Sequence, residues 1–178
     1  MWASALVSAL AAAAVVSATA RPGLTAPVRT VPCQEIAGHP TFPYVGHREP
    51  RYQYRLVLGI ISAPPAFLGQ AVALHERPWP YWLKAALVIR AGGPPVSISV
   101  PEQWKNRVAI IWGNGNYDAG SSIRIASCGT DSTVGNAYAG GFFLRFRAAC
   151  VPLVFRVAHR SAIVRFGIGR RCASSQEP

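Results

Sequence analysis

A chain of 178 residues in which 51% are hydrophobic has the length of one domain and enough apolar material for one core, which excludes a disordered chain. Its 18 Lys and Arg against 7 Asp and Glu leave a formal charge of +11, so anionic surfaces attract it and salt weakens the attraction. The scarcity of carboxylates also leaves little material for acid/base catalysis.

Residues 1–20 carry no charge, and Ala5 to Val16 is Ala, Val and Leu broken only by Ser8. Ala18-Thr19-Ala20 places small residues where a signal peptidase reads, and Arg21-Pro22-Gly23 breaks any helix that precedes it. This is the pattern of a secretory signal peptide; an uncleaved membrane anchor is the alternative, since the start lacks a positive n-region. Residues 21–50 are rich in Pro, Gly and Thr and read as an N-terminal segment running into a first strand near Thr30 to Ile36. Gly38 to Tyr44 reads as a loop, because its prolines remove ladder donors.

From 51 to 172 the apolar residues recur with period two, the signature of half-buried strands. Tyr52, Tyr54, Leu56, Leu58 and Ile60 are expected on one face, and Ala85, Leu87 and Ile89 on another. Val96, Ile98 and Val100 alternate with Ser97 and Ser99, the cleanest case; Val108, Ile110 and Trp112 follow, then Ile123 and Ile125. Phe142, Leu144 and Phe146, then Val151 to Val157, then Ala162 to Ile168 complete the series. Turn signals separate the runs at Ala91 to Pro95, Gly113 to Asn116 and Ala158 to Arg160. Pro65 to Glu76 reads either as a short helix or, preferred, as a loop leading to a strand from Gln70 to His75. The expected fold is all-β with little helix: an immunoglobulin-like β-sandwich of about seven to nine short antiparallel strands, with a jelly roll or small barrel still open. Residues 173–178 read as a disordered tail.

Cys33, Cys128, Cys150 and Cys172 form an even set in a chain expected to be exported, which points to two disulfides. Of the three pairings, Cys128–Cys150 with Cys33–Cys172 is favoured: the first would close a Gly-rich loop and the second would tie the chain ends. No C-x-x-C or H-x-x-x-H spacing is present, so no metal is expected. Neither a phosphate-binding loop nor a dinucleotide fingerprint occurs, so no cofactor is expected. A serine nucleophile lacks its G-x-S-x-G elbow.

Two constellations are candidates for binding. Trp79, Tyr81 and Trp82 lie in a proline-framed stretch, where rings exposed on a loop would stack on sugar faces and buried rings would plug one end of the sandwich. Arg55, Arg124, Arg145, Arg147, Arg156 and Arg165 all fall opposite the core side of their strands. Aligned, they would hold an anionic polymer; unaligned, they keep an outer face wet and protect edges. Asp118 and Asp131, in Gly-rich loops, are the candidates for a catalytic alternative.

The segments Trp79 to Trp82, Gly135 to Arg145, Ala149 to Leu153 and Arg160 to Cys172 together resemble a family of small, uncharacterised secreted proteins from actinobacteria. The resemblance implies export and a compact β domain and carries over no functional residue. The functional expectation is a secreted or cell-envelope domain that binds rather than catalyses. Its expected partner is an anionic envelope polymer or a glycan, with a protein partner as a second possibility. Nucleic acid is not expected, for want of a recognition helix or stacking motif, and a membrane is expected only through an uncleaved N-terminal segment. A hydrolase of cell-wall or other polysaccharide, and an assembly protein pairing through a sheet edge, are the alternatives.

Overall fold

The computed structural model describes residues 28–46, 48–114 and 118–173, with Arg51 described by its backbone alone. The expected signal segment and the tail from Ser174 onward lie outside the described residues. Among the described residues no helix is long and apolar enough to cross a membrane. The fold is all-β. In chain order the strands are β1 (Arg29–Val31), β2 (Arg55–Val57), β3 (Ile61–Ala63), β4 (Val72–Ala73), β5 (Tyr81–Lys84), β6 (Leu87–Arg90), β7 (Val96–Ser99), β8 (Val108–Trp112), β9 (Ser122–Ile125), β10 (Gly135–Tyr138), β11 (Gly140–Leu144), β12 (Ala149–Val157) and β13 (Arg160–Ile168). Short 3-10 turns occur at Cys33–Glu35, Pro50–Tyr52 and Glu102–Trp104.

The strands form three sheets, ordered β1-β9-β7-β12-β13, β10-β6-β3-β2 and β4-β5-β11-β8. The last two are continuous through their middle. Residues 81–90 and 135–144 pair antiparallel in one register on both sides of the gap, from Gly135↔Arg90 to Leu144↔Tyr81. The Ala85 N–H donates to the Gly140 carbonyl at 2.8 Å within that gap. Two layers therefore face each other in a sandwich-like packing. Their inner faces supply Val96, Ile98, Val108, Ile110, Trp112, Phe142, Leu144, Leu153, Phe155 and Phe166, all fully buried. The Trp112 indole N–H, which burial would otherwise leave unsatisfied, donates to the Ala85 carbonyl at 2.8 Å. The period-two runs at 96–100, 108–112, 122–125, 151–157 and 162–168 thus become strands with the expected face inward.

The structure corrects several expectations. The described residues hold thirteen strands, not seven to nine, because a turn splits the 52–60 run and short strands such as β4 and β10 add to the series. Residues 52–60 are not one strand. Leu58 and Gly59 both adopt positive φ, at 51° and 75°, as the two central residues of a turn closed by the Ile60 N–H on the Val57 carbonyl, and this turn reverses the chain between β2 and β3. The expected face is thereby lost: Leu56 is 57% exposed, while Val57, Ile60 and Ile61 are buried. Phe146 lies past the end of β11 and is exposed beneath the Arg107 guanidinium. In β6, Leu87, Val88 and Ile89 are all buried, so both of its faces are covered.

The second cover comes from the Pro-rich N-terminal segment, which belongs to the fold rather than leading up to it. Gly38 and Thr41 bridge to Ala137 and Val134, and the Gly135 N–H donates to the Pro40 carbonyl at 2.7 Å. Beneath this cover the Tyr54 hydroxyl donates to the Ala86 carbonyl at 3.2 Å, and Tyr138 is fully buried. Burial pushes both phenols up to about 12, reinforced by Tyr44 at Tyr54 and by the Glu35 charge at Tyr138. An unfolded phenol titrates near about 10, and the fold accepts only the neutral form. Their contribution is therefore complete below pH 10 and is lost as the pH climbs toward about 12. The expected result is a urea midpoint unaffected by these two groups up to about pH 10 that then falls, with two phenols appearing late in an ultraviolet titration.

The disulfides are Cys33–Cys128 and Cys150–Cys172, not the pairs favoured from spacing. Strand pairing explains both. Strand β1 runs parallel to β9, with Val31 opposite Ile125, so the residues just beyond each strand emerge side by side. There the Cα atoms of Cys33 and Cys128 are 5.6 Å apart. Cys150 pairs in register with Gly167, and the chain turns back at Gly169 with φ 65°, which returns Cys172 to within 5.1 Å of Cys150. Two disulfides in a domain of this size fit an oxidising, extracytoplasmic compartment.

Candidate functional site

Strand alternation separates the three aromatic residues grouped by the sequence. Tyr81 and Trp82 lie within β5, so their side chains leave opposite faces. Tyr81 packs against the core, together with Leu83. Trp82 faces out, paired with Val72 on one side and Phe143 on the other, and its ring lies 4.5 Å from that of Phe143. Trp79 precedes the strand and is half-buried, and the Arg145 guanidinium lies 5.6 Å over its ring. An open recess of about 540 Å³ lies beside this pair, lined by Arg77, Pro78, Pro80 and Arg145. One aromatic face and two guanidiniums thus meet where β5 begins and β11 ends. Among the described residues no ion pair joins Arg77 or Arg145 to a carboxylate.

Three carboxylates are engaged elsewhere. Glu35 is buried against Arg29, and Glu102 pairs with Lys105 at 2.6 Å. Asp131 accepts from the Thr133 hydroxyl at 2.7 Å and amide at 2.9 Å, and these bonds hold its carboxyl below the usual range. Asp131 is therefore the anchor of its own turn, an ionised group with little basicity to offer. No cluster of three or more metal-ligating side chains occurs among the described residues.

Neither the models of known protein families nor the curated proteins match this chain. Whatever the recess can do must follow from the chemistry of its own side chains. A planar guanidinium offers paired donors to a carboxylate or phosphate, and the adjacent indole offers an apolar plane. Together they suit a ligand with an apolar flat side and an anionic edge.

The expected arginine array is dispersed. Arg124 and Arg156 share a cross-strand row on the outer face of the five-stranded sheet, Thr30↔Arg124↔Ser97↔Arg156↔Ser161. Two strand spacings separate them, about 10 Å. Arg165 lies on the same face, opposite Pro152 and four residues further along β13 than Ser161. Arg145 and Arg147 belong to the turn after β11, where Arg145 covers Trp79 and Arg147 donates to Gln70 at 3.4 Å. Arg55 points the other way, its guanidinium 4.9 Å from the Phe166 ring at the margin of the core. Alternation tells which side of its own strand a residue takes but not which sheet that strand joins, so one expected face becomes three separate places. Arg77 and Phe143 were not singled out by sequence reasoning; Arg77 is Trp79's neighbour along the chain, whereas pairing of β5 with β11 is what brings Phe143 to Trp82, and no local pattern announces that pairing.

Proposed function

We propose that this protein is an exported, non-catalytic binding domain of the cell envelope that holds an anionic glycan across Trp79, Arg77 and Arg145. The observation that carries it is the Arg145 guanidinium over the Trp79 ring at the mouth of a recess whose second cation is Arg77. A uronic-acid or phosphate-bearing sugar would set its anionic edge on the two guanidiniums and its C–H groups against the part of the half-buried indole that Arg145 leaves uncovered. Export is supported by the uncharged, apolar leader and by the two disulfides. Kinship with small secreted actinobacterial proteins belongs to the same proposal and rests on the segments Trp79 to Trp82 and Gly135 to Arg145. So does the immunoglobulin-like form of the sandwich, supported by two facing layers around Trp112.

The test is retention of the oxidised protein on immobilised polygalacturonate and on a neutral dextran over a series of salt concentrations. Polygalacturonate is expected to retain it, less so as salt rises, and dextran is expected to retain it poorly. Arg145→Gln should weaken retention about tenfold and flatten the salt dependence, as the loss of a hydrogen bond to a charged group implies. Trp79→Ala should weaken retention by a similar factor and leave the salt slope unchanged. Equal retention of both polymers, or insensitivity to both substitutions, would remove the glycan site.

A further inference from the structure

We infer that the slot between β2 and β13 is an acceptor for an extended, acidic peptide strand. Both strands end their sheets: β2 pairs with β3 alone, and β13 pairs with β12 and, at Gly167, with Phe67 in an isolated bridge. Successive residues of a strand direct their backbone groups to opposite edges, so one known bond fixes the rest. The Gly167 N–H donates to the Ala66 carbonyl and its carbonyl accepts from Leu68, away from β12. Ser161, Ile163 and Arg165 therefore present N–H and C=O to the same open edge. On β2 the Val57 carbonyl accepts from Ile60 within the hairpin, so Leu56 presents its N–H and C=O outward.

Two arginines span the slot. Arg55 of β2 donates to the Arg165 carbonyl at 3.3 Å, and Arg160 of β13 donates to the Leu58 carbonyl. These bonds join the start of each strand to the far end of the other, so the two edges run antiparallel across the slot. The guanidiniums occupy carbonyls that a strand would otherwise use. The slot encloses about 440 Å³, and Leu56 and Ile163 form apolar lips that are 57% and 63% exposed.

Charge selects the occupant. Arg55, Arg160 and Arg165 rim the slot, and among the described residues no ion pair links any of them to a carboxylate. A second copy of the chain would bring a net charge of +11 to this rim, whereas an acidic strand would bring the complement. Arg55 lies on the floor, over Phe166, and an inward charge at an edge opposes pairing with an arbitrary strand. A strand with an inward carboxylate converts that obstacle into an ion pair, while its backbone pairs with the β13 edge at Ser161 and Ile163 and its apolar residues meet Leu56 and Ile163. This acceptor is separate from the glycan recess and does not rest on it.

The probe is a capped, fluorescent octapeptide of alternating Glu and Val, compared with its Lys/Val counterpart and with a Glu/Val peptide N-methylated at every second residue. Binding to the oxidised protein is read by anisotropy, and its location by amide exchange. The Glu/Val peptide is expected to bind and to protect the amides of Leu56, Ile163 and Arg165, and the Lys/Val peptide is expected not to bind. N-methylation should weaken binding at least about tenfold, because it removes ladder donors while leaving the charge. Arg55→Gln and the exposed Arg160→Gln should each weaken it severalfold; should Arg55→Gln not fold, Arg160→Gln carries the test. Equal affinity for the methylated peptide, protection confined to the Trp79–Arg145 face, or no binding at millimolar peptide would overturn the proposal. Self-association that protects the same amides without peptide would overturn it in favour of a second copy.

Discussion

Replacing Cys33 and Cys128 together by alanine is expected to cost about 4.7 kcal/mol of unfolding free energy, against about 3.4 kcal/mol for Cys150 and Cys172, from loops of 95 and 22 residues. The difference comes from the unfolded chain, whose freedom the longer loop restricts more. The native side adds to it. Strand β1 has three residues and terminates its sheet, held by the parallel pairing with β9, the buried Val31 and the Arg29 side chain, which donates to the Trp112 carbonyl at 2.9 Å. The Cys33–Cys128 bond closes that pairing just beyond its last residues. Loss of this bond should therefore also loosen the cover over β6 and β10, which continues from Cys33. Urea titrations of the two double variants at equal m-values read the order of the costs, and amide exchange at Ala137 reads the loosening. If the Cys150–Cys172 variant is the less stable of the two, chain entropy is not what the bonds supply. Peptide mapping without reduction should recover Cys33 with Cys128.

Gly141→Ala is expected to cost at least about 3 kcal/mol, at or beyond the upper end for an overpacked core. Strand β11 is flanked on both sides, by β5 and by β8. A Cβ at Gly141 would fall well inside contact distance of the Leu83 carbonyl, and one at Gly140 equally close to that of Ile111. These obstacles are backbone atoms of neighbouring strands, so no rotamer relieves them. A displacement of β11 would also disturb the outward residues that follow it, Phe143 and Arg145. Gly38→Ala is the control: nothing lies within 4 Å of its Cβ position, and the change is expected to be neutral or to stabilise by up to about 1 kcal/mol. Thermal unfolding of the two variants reads the contrast. Similar stabilities would mean that β11 has room to shift.

The parts of the fold legible in the sequence are those where one face of a strand meets the core and the other meets water. Val96, Ile98 and Val100, or Val151 through Val157, need only alternation to be placed. Legibility failed where tertiary cover replaced water. Val88 is buried because Pro40 and Phe42 lie over it, and Gly135 to Tyr138 forms a strand with little intrinsic preference for one because Gly135 lets that cover approach. It failed again at Leu58, where a positive φ on a leucine hid a turn inside an apolar run. The recess combined both outcomes. Trp79 and Arg145 were each singled out, but their meeting depends on the register of β5 with β11, a long-range property that period and composition do not encode. The disulfide pairing was inaccessible for the same reason, since a parallel β1–β9 pair leaves no local mark.

That parallel pair also sets a schedule. The chain is made from its N-terminus, and Cys33 appears 95 residues before the partner it must find, whereas Cys150 waits for only 22. At 5–20 residues per second the first interval is roughly 5–20 s and the second roughly 1–4 s. Throughout the longer interval β1 has no strand to join, and its cysteine is a reactive thiol on an undocked segment. The hairpin of β12 and β13 can close within its own neighbourhood, while β1 docks only after β9 has emerged. At this edge the first of the described strands waits longest for its partner, and an oxidant or isomerase acting on the nascent chain meets Cys33 before any other cysteine.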